Sequence, residues 1–477
     1  MIALKNVSFQ YQNMRESQNS FEADGIREIN LQIKKGEFLI IAGRSGCGKT
    51  TLLKCINGLV SHFDEGMFEG TVNLNGQNTA ELKVGQIGEL AASVFQDPRS
   101  QFFTTNVFDE LSFGCRNMGL SRGEILSRID EVMPLLGIEA LRGKSLLMMS
   151  SGEKQRVAIA SCYCMHPLIF LFDEPSANLD EQGVCELFDM LKRLKKLGHT
   201  IIVLEHRLYY LRELMDRLAV MEQGRIQRIY LKEEALELSE KDIKAMGLRT
   251  FHPERLALRV KQTQGEGSLQ IKQLAYRYKN ASENVFTDLS ICADYGEIIA
   301  VTGHNGIGKT TFAKVLTGLL KEQSGSILWN GLKLTPKQRM KNIYYVMQDS
   351  DYQLFSESVE TELLLGINQK EEKRADMEKL LQYFGLQNYR NKHPMTLSRG
   401  QKQRVTIAAA LMSDAKILIL DEPSSGLDGD NMRKLSGLLQ KAASQGRILF
   451  IVSHDAEFIR ICCSRIIELR ENGIYEK

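Results

Sequence analysis

Long apolar runs are missing from this sequence of 477 residues. No stretch of about 18 consecutive apolar residues occurs, so the sequence offers no candidate for a membrane-spanning helix. The first residues also lack the apolar stretch of a secretory signal, and we expect no cleaved leader. Any role at a membrane therefore has to pass through a partner protein.

An excess of charge is missing as well. The chain carries 61 Lys and Arg residues against 59 Asp and Glu residues, a formal net charge of +2. This balance gives no general electrostatic reason to bind nucleic acid or an anionic membrane surface, and we expect no nucleic-acid partner.

Paired metal-binding cysteines are also absent. The nine cysteines are scattered, and neither Cys162 with Cys164 nor Cys462 with Cys463 has a second pair at the spacing of zinc ligands. We therefore expect buried free thiols, as in proteins of a reducing cytoplasm.

What the sequence does contain is a duplicated unit. Four motifs of the first half recur in the same order in the second half. The matched segments are 43–51 with 303–311, 150–157 with 398–405, 173–176 with 421–424, and His206 with His454. A repeat this long is a whole domain, and the chain exceeds the usual size of one hydrophobic core. We predict one domain over 1–235, a linker over 236–267 and a second domain over 268–477.

Continuous apolar runs precede the motifs of the first half. Residues 38–42 lead into the first glycine-rich loop, 168–172 lead into Asp173, and 200–204 lead towards His206. Such runs are typical of a parallel sheet that is covered by helices on both faces. The sequence therefore predicts an α/β fold in each half.

The two glycine-rich loops have the pattern of a P-loop, Gly-x4-Gly-Lys-Thr, between a strand and a helix. The backbone N–H groups of such a loop surround phosphates, the lysine reaches the outer phosphates, and the next hydroxyl binds Mg²⁺. Two copies, both after apolar strands, argue against an accidental glycine turn. The predicted phosphate-binding residues are Gly43, Arg44, Ser45, Gly46, Cys47, Gly48, Lys49, Thr50 and Thr51, and Gly303, His304, Asn305, Gly306, Ile307, Gly308, Lys309, Thr310 and Thr311.

Cys47 lies among the backbone amides of the first loop and next to a lysine. Such surroundings lower the pKa of a thiol, so we expect Cys47 to react with oxidants and alkylating reagents. The alternative is an inert thiol that bound nucleotide shields.

An Asp-Glu pair follows a strand-like run in each half. Alone, such a pair is more often a surface feature, but downstream of a P-loop the aspartate holds Mg²⁺ and the glutamate deprotonates the attacking water. The predicted Mg²⁺ ligands are Thr50, Asp173, Thr310 and Asp421, and the predicted bases are Glu174 and Glu422.

The order of these motifs resembles that of ATP-binding-cassette (ABC) ATPases over nearly the whole chain. The signature of that family, Leu-Ser-Gly-Gly-Gln, is matched by Met-Ser-Ser-Gly-Glu at 149–153 and by Leu-Ser-Arg-Gly-Gln at 397–401. Both copies depart at the third position, and the first also departs at positions one and five. For each half the resemblance implies a RecA-like parallel-sheet core, an antiparallel β subdomain and a helical subdomain with the signature.

The resemblance also implies how ATP is held. In this family the two modules pair head to tail, so one ATP would lie between Lys49 and Ser398 and the other between Lys309 and Ser150. On its own, a serine before such a helix is more often an ordinary N-cap. The implied signature contacts are Ser150, Ser151, Gly152, Glu153, Ser398, Arg399, Gly400 and Gln401.

Three further pairs of residues match functional positions of the family. His206 and His454 match the switch histidine that touches the γ-phosphate, although the first lies in Glu-His-Arg and not in Ser-His-Asp. The other two pairs are Tyr11 with Tyr278, which would stack on adenine, and Gln96 with Gln348, which would bind Mg²⁺ beside the attacking water.

A second glutamine follows each of these Q-loop glutamines five residues on, in Gln-Phe-Phe at 101–103 and Gln-Leu-Phe at 353–355. This arrangement resembles energy-coupling-factor transporters, which import vitamins or transition-metal ions. The resemblance implies integral membrane partners, namely a transmembrane coupling subunit and a substrate-binding subunit. We predict that the apolar side chains of 101–103 and 353–355 dock these partners at the cytoplasmic face of the cell membrane. A charge at Phe102 or Leu354 should weaken this contact.

Two other hypotheses stay open. A fused ATPase of a sugar importer typically has one degenerate half, whereas both halves here keep their motifs. A soluble tandem cassette of the translation-factor type typically has a long basic linker and the segment Thr-Asn-His-Leu-Asp, and neither occurs here.

Overall fold

The computed structural model describes residues 2–12, 25–177, 179–258, 268–279, 281–367, 370–470 and 473–476. They form two compact units, Met1–His252 with Asp428–Asp430, and Pro253–Leu427 with Asn431–Lys477. The division falls inside the segment predicted as a linker, whose residues 259–267 lie outside the described part of the chain.

The first unit combines two sheets with helices. Its strands are β1 (Ile2–Tyr11), β2 (Gly25–Ile33), β3 (Phe38–Gly43), β4 (Gly66–Leu74), β5 (Gln77–Asn78), β6 (Ala91–Val94), β7 (Ile169–Asp173), β8 (Thr200–Leu204), β9 (Arg217–Glu222) and β10 (Arg225–Leu231). Its helices are α1 (Lys49–Ile56), α2 (Leu59–Phe63), α3 (Val84–Leu90), α4 (Val107–Asn117), α5 (Arg122–Leu136), α6 (Ser151–Cys164), α7 (Glu181–Lys196), α8 (Lys232–Leu236) and α9 (Glu240–Ala245).

The six-stranded sheet of this unit has the order β10-β9-β3-β8-β7-β6. Its strands are parallel except for the edge strand β10, which runs antiparallel to β9. Strands β3 and β8 are buried along their whole length, because helices and the second sheet cover both of their faces. The predicted α/β core is therefore confirmed.

The second sheet of the first unit is antiparallel, with the order β2-β1-β4-β5. It packs on one face of the six-stranded sheet in a core that also contains α1. The opposite face packs against α4, α5 and α6, which form the helical subdomain. Ile243, Leu248 and Phe251 lie in this same core, so the chain up to His252 packs with the first unit.

The second unit repeats this architecture. Its strands are β11 (Leu269–Tyr276), β12 (Phe286–Ala293), β13 (Ile298–Thr302), β14 (Ser324–Trp329), β15 (Leu332–Lys333), β16 (Ile343–Val346), β17 (Ile417–Asp421), β18 (Ile448–Val452), β19 (Arg465–Arg470) and β20 (Gly473–Glu476). Its helices are α10 (Lys309–Thr317), α11 (Pro336–Asn342), α12 (Val359–Leu363), α13 (Lys370–Phe384), α14 (Arg399–Met412), α15 (Gly429–Ser444) and α16 (Ala456–Cys462).

The two sheets of the second unit have the same plan as those of the first. The antiparallel sheet has the order β12-β11-β14-β15, and the mainly parallel sheet has the order β16-β17-β18-β13-β19-β20. Helices α12, α13 and α14 pack on one face of the parallel sheet as a helical subdomain. Among the described residues of both units, no helix is long and apolar enough to cross a membrane.

Candidate functional site

The first glycine-rich loop joins the end of β3 to the start of α1. A Cβ atom on Gly43 would lie 2.2 Å from the carbonyl oxygen of Met221, so the loop packs tightly against β9 at its first glycine. Gly46 has a φ of 77°, and a Cβ atom there would meet nothing within 4 Å. The loop is thus closed on the sheet side and open on the other, as a backbone cradle for phosphates requires.

The second loop has the same geometry between β13 and α10. A Cβ atom on Gly303 would lie 2.7 Å from the carbonyl oxygen of Leu469. Gly306 has a φ of 87° and again faces open space. Neither α1 nor α10 has an acidic residue in its first turn, so both helix N-termini favour an anion.

Both P-loop lysines fold back over their loops. Lys49 Nζ donates to the carbonyl oxygens of Gly43 and Arg44, both at 3.1 Å. Lys309 Nζ donates to those of Gly303 at 2.6 Å and His304 at 2.9 Å. Each ammonium group is therefore held within the cradle that it is predicted to share with the outer phosphates.

The predicted Mg²⁺ ligands come together in each unit. Thr50 Oγ1 lies 3.5 Å from Asp173 Oδ1, and Thr310 Oγ1 donates to Asp421 Oδ2 at 3.0 Å. Hydroxyl and carboxylate oxygens fit Mg²⁺, which usually completes its shell with water and phosphate oxygens. No group of three or more His, Cys, Asp or Glu residues that could hold a metal ion occurs within the described chain.

Burial sets the protonation behaviour of the two aspartates. Burial and the neighbouring Glu174 carboxylate raise the pKa of Asp173 to about 6. Burial also raises the pKa of Asp421, although hydroxyl donors from Tyr345 and Thr310 oppose the shift. Both carboxyl groups lack full solvation, which a cation at either position would compensate.

Glu174 lies at the centre of the first site. Its Oε1 is 3.1 Å from His206 Nε2, and its Oε2 accepts a hydrogen bond from Gln96 Nε2 at 3.0 Å. Burial alone would raise the pKa of Glu174, but the charges of His206 and Lys49 outweigh it and lower the pKa. The carboxylate is therefore ionised and can accept a proton from a water molecule.

Glu422 of the second unit has similar neighbours, but its distance to the switch histidine is longer. Its Oε1 is 3.9 Å from His454 Nε2, and Ser453 Oγ donates to its Oε2 at 3.3 Å. Glu174 and Glu422 both have left-handed backbone, with φ values of 45° and 49°. Their N–H groups donate to Leu204 and Val452 at the ends of β8 and β18, which fixes the direction of both side chains.

The switch turn of the first unit contains a carboxylate that sequence reasoning left without a role. Glu205 is buried, and its Oε1 accepts from the N–H groups of His206 at 2.8 Å and Arg207 at 3.1 Å. Its Oε2 accepts from the Tyr210 hydroxyl at 2.8 Å. Glu205 thus holds the backbone of the switch histidine in place.

In the second unit Asp455 supplies the corresponding carboxylate from the other side of the histidine. Its Oδ2 accepts from Ser424 Oγ at 2.9 Å, and its Oδ1 accepts from the N–H of Phe458 at 3.1 Å. The departure from Ser-His-Asp in the first half is therefore accompanied by a relocated carboxylate. In the sequence, the charged residue directly beside each histidine was the signal that could have predicted this carboxylate.

The signature segments begin helices in both units, and their fifth residue has a structural task. Ser150 Oγ accepts from the N–H of Glu153, whose carboxylate accepts from the N–H of Ser150 in return. Ser398 and Gln401 form the same capping box at the start of α14. Glu and Gln can both close this box, which explains the departure of the first copy at that position.

The two predicted adenine-stacking tyrosines reach their P-loop helices. The Tyr11 hydroxyl lies 3.5 Å from Thr51 Oγ1, and the Tyr278 hydroxyl lies 3.0 Å from Thr311 Oγ1. Each aromatic ring is therefore beside the phosphate cradle of its own unit. Their contact with adenine stays a prediction, as do the head-to-tail pairing of the two halves and the roles predicted for the other site residues. Asn178, which follows the first Asp-Glu pair, lies outside the described residues.

The second glutamine of each Q-loop closes the loop on itself. Gln101 Oε1 accepts from the N–H of Phe95 at 3.3 Å, and Gln353 Oε1 accepts from that of Met347 at 2.7 Å. Gln353 Nε2 also donates to the carbonyl oxygen of Tyr345 at 2.5 Å. The segment after Gln96 or Gln348 is thus a closed turn attached to the end of its strand.

A buried glutamate holds the other end of this turn. Glu110 Oε2 accepts from the N–H groups of Phe103 at 3.1 Å and Thr104 at 2.9 Å. Glu362 Oε2 does the same for Phe355 at 3.0 Å and its successor at 2.8 Å. Sequence reasoning missed both glutamates, whose position in the first turn of α4 and α12 was the available signal.

Within each predicted docking segment, the second of the two apolar residues is the more exposed one. Leu354 is only 5% exposed and belongs to the core of the second unit, and Phe102 is partly buried against the core of the first. Phe103 and Phe355 are instead 74% and 75% exposed. The choice of Leu354 as a position to test is therefore wrong, since its side chain lies in the core, and docking by the two segments stays a prediction.

The expectation that Cys47 has a lowered pKa, and is reactive for that reason, is wrong. The thiol is buried, and burial raises its pKa more than the nearby Lys49 charge lowers it. Of the other thiols, Cys185 and Cys292 are exposed and the rest are buried, in partial agreement with the expectation for the set.

Cys47 is expected to be alkylated by iodoacetamide at least about tenfold more slowly than the exposed Cys292, with or without ATP, because the thiolate is the nucleophile. Quantifying the labelled peptides by mass spectrometry over time measures both rates in one sample. Labelling of Cys47 as fast as that of Cys292 would show that the loop opens in solution.

Comparison with known proteins identifies the family. The family profile described as ABC transporter matches residues 26–177 and 286–425. A Treponema denticola protein with the provisional name of an ABC transporter ATP-binding protein is 40% identical over 481 residues, covering 100% of this chain and 96% of the relative. A Bacillus subtilis protein, provisionally named an HMP/thiamine import ATP-binding protein, is 29% identical and covers 99% of this chain and 90% of its own length.

Solved structures share the tandem fold. An archaeal ribosome recycling factor, solved with a ribosomal stalk protein, superposes with a TM-score of 0.66 at 23% identity, covering 98% of this chain and 89% of that one. The RNase-L inhibitor gives a TM-score of 0.63 at 23% identity, with 94% and 87% covered. This likeness concerns the fold alone. On its sequence matches, the chain belongs to the ABC transporter family, with two tandem ATPase domains of the kind that bind ATP with Mg²⁺ and hydrolyse it.

Proposed function

We propose that this chain is the ATP-hydrolysing subunit of an ABC importer of the energy-coupling-factor type. It powers the uptake of a vitamin or a metal ion through separate integral membrane subunits and binds at the cytoplasmic face of the membrane. The observation that carries the proposal is the closed turn after each Q-loop glutamine, which presents an exposed phenylalanine in both units.

In the first unit this phenylalanine belongs to a larger apolar patch. The ring of Phe103 stacks on that of Phe113, with centroids 4.8 Å apart. The N–H of Leu146 donates to the carbonyl oxygen of Thr105, so the exposed residues after Leu146 lie close to the same turn. We call the exposed Phe103, Leu147 and Met148, together with the half-buried Phe113, the first apolar patch. Exposed apolar groups in one place favour a protein partner.

The second unit has a counterpart at the same place in its repeat. Phe355, Leu365 and Met395, which we call the second apolar patch, are all exposed. They occupy the sequence positions that match Phe103, Phe113 and Leu147. A partner with two similar contact segments would fit two such patches.

The turn also offers a route from a partner to the chemistry. In the first unit Gln96 at one end of the turn contacts the predicted base Glu174, and Phe103 lies at the other end. Gln101 and Glu110 brace the turn between them. A partner bound at Phe103 would therefore act on Gln96 through a short, hydrogen-bonded segment, which supports coupling of transport to ATP hydrolysis.

Charge at the two exposed phenylalanines is expected to release the membrane partners. Phe103→Asp with Phe355→Asp places an unpaired charge at each proposed contact, and burying such a charge costs on the order of 2–5 kcal/mol. We expect loss of co-purifying membrane subunits from detergent-solubilised membranes and loss of solute uptake, while ATP binding is unchanged.

The matched control is Phe63→Asp with Leu332→Asp. These residues are 70% and 74% exposed, in α2 and β15, and lie outside the two patches. Normal assembly and uptake by the first double variant would refute docking at the patches. Wild-type chain that co-purifies with no membrane protein would favour a soluble tandem ATPase instead.

The name of the Bacillus subtilis relative suggests which solute to test first. Uptake assays should compare thiamine and its pyrimidine precursor with a transition-metal ion and a sugar. Uptake of the sugar alone would support the alternative of a fused sugar-importer ATPase.

A further inference from the structure

A tyrosine of the second unit contacts the predicted Mg²⁺ ligand. Tyr345 lies in β16, which runs parallel to β17 in the register that pairs Tyr345 with Ile419. The Tyr345 hydroxyl donates to Asp421 Oδ2 at 2.9 Å, and the ring is 7% exposed. Thr310 Oγ1 donates to the same oxygen, so two hydroxyl groups converge on one side of this carboxylate.

The first unit has a serine at the matching position. Tyr345 lies three residues before Gln348, and the residue three before Gln96 is Ser93. Ser93 Oγ accepts from Asn57 Nδ2 at 3.0 Å. The side-chain donor that reaches Asp173 in the described part of this unit is Thr50, at 3.5 Å. The two aspartates therefore differ in how firmly their carboxylates are held.

We propose that Tyr345 is a positioning residue of the second nucleotide site, where it fixes the Asp421 carboxylate in the orientation that receives Mg²⁺. Thr310 has a competing task, because its hydroxyl is itself a predicted metal ligand. Tyr345 has no such task, and its hydrogen bond can persist with the cation present. Partners that orient a ligand in this way contribute strongly to metal affinity.

The two nucleotide sites then differ in their need for Mg²⁺. The second site holds its aspartate oriented before the cation arrives, whereas the first has to orient Asp173 on binding. The second site should load with MgATP at the lower Mg²⁺ concentration. This inference rests on the predicted role of Asp421 as a ligand.

The test uses Tyr345→Phe in a Lys49→Ala background, so that the second site dominates binding. Mn²⁺ replaces Mg²⁺ as the probe and is titrated by electron paramagnetic resonance with a non-hydrolysable ATP analogue. We expect the half-saturating Mn²⁺ concentration to rise about tenfold. Binding of the analogue in EDTA should be unchanged, because the ring and its packing remain.

The neighbouring Tyr344→Phe is the matched control. Tyr344 packs on the opposite face of β16 from Tyr345. This substitution therefore deletes a hydroxyl on the side of the strand that faces away from Asp421. A further control places Tyr345→Phe in a Lys309→Ala background, where Mn²⁺ binding at the first site should not change. If Tyr345→Phe weakens binding of the ATP analogue equally in EDTA and in Mn²⁺, the tyrosine has a packing role and the proposal is overturned.

Asp421→Asn in the Lys49→Ala background separates the two ways of failing. If this variant weakens Mn²⁺ binding and Tyr345→Phe does not, the inference about Tyr345 is overturned and the ligand role of Asp421 stands. If neither variant changes Mn²⁺ binding, the ligand assignment itself fails and takes the inference with it.

Discussion

Glu174→Gln combined with Glu422→Gln is expected to lower ATP turnover by about 10²–10⁴-fold and to leave ATP binding intact. The carboxamide keeps the shape of the side chain but cannot take the proton of the attacking water. Its single oxygen can keep one of the two contacts of the Glu174 carboxylate, which lie at 3.0 Å to Gln96 and 3.1 Å to His206. The loss should therefore fall on the maximal rate and not on the affinity for ATP.

Steady-state phosphate release and equilibrium binding of a fluorescent ATP analogue measure the two quantities separately. The matched control is Glu37→Gln with Glu297→Gln. These glutamates are also buried, but they precede β3 and β13, at the ends of those strands away from the glycine-rich loops. Normal turnover by the first double variant would refute the assignment of the base.

Lys49→Ala and Lys309→Ala are each expected to remove most of the ATP turnover. The ammonium group neutralises charge that develops on the phosphates, and loss of one such preorganised group costs about 10²–10³-fold at its site. In both units this group is already held in the glycine-rich loop by two carbonyl oxygens. We propose that both sites hydrolyse ATP, so each single change should lower the total ATP turnover.

The same ATPase assay measures this effect, with weaker nucleotide binding as a second readout. Lys196→Ala and Lys441→Ala serve as controls, because these lysines are exposed near the ends of the equivalent helices α7 and α15. Full activity in either Lys49→Ala or Lys309→Ala would mean that the sites are unequal.

Much of the fold follows from local sequence patterns. Continuous apolar runs such as 38–42 can be buried on both faces only in a covered sheet, and the glycine-rich loop must follow the strand that it ends. The placement of Lys49 and Asp173 near one another follows from two parallel strands that end at the same edge. These relations depend on neighbouring residues along the chain, which a single sequence displays.

What the sequence did not reveal depends on contacts between distant segments. Tyr345 reaches Asp421 because β16 and β17 are in one particular register, and no local pattern encodes that register. Phe355 and not Leu354 is exposed in a turn whose N–H groups donate to the Glu362 carboxylate, a contact that the sequence did not show. For Cys47, the nearby lysine was visible but the depth of burial was not.

The left-handed backbone at Glu174 and Glu422 lowers thermodynamic stability at two residues that the predicted activity requires. A residue with a side chain held in this conformation costs on the order of 1–3 kcal/mol, whereas glycine adopts it freely. A search for more stable variants would therefore tend to replace these two residues, although they are the predicted bases. Selection for stability alone would therefore act against the predicted bases, and a thermostable form of this protein that keeps its activity has to gain its stability elsewhere.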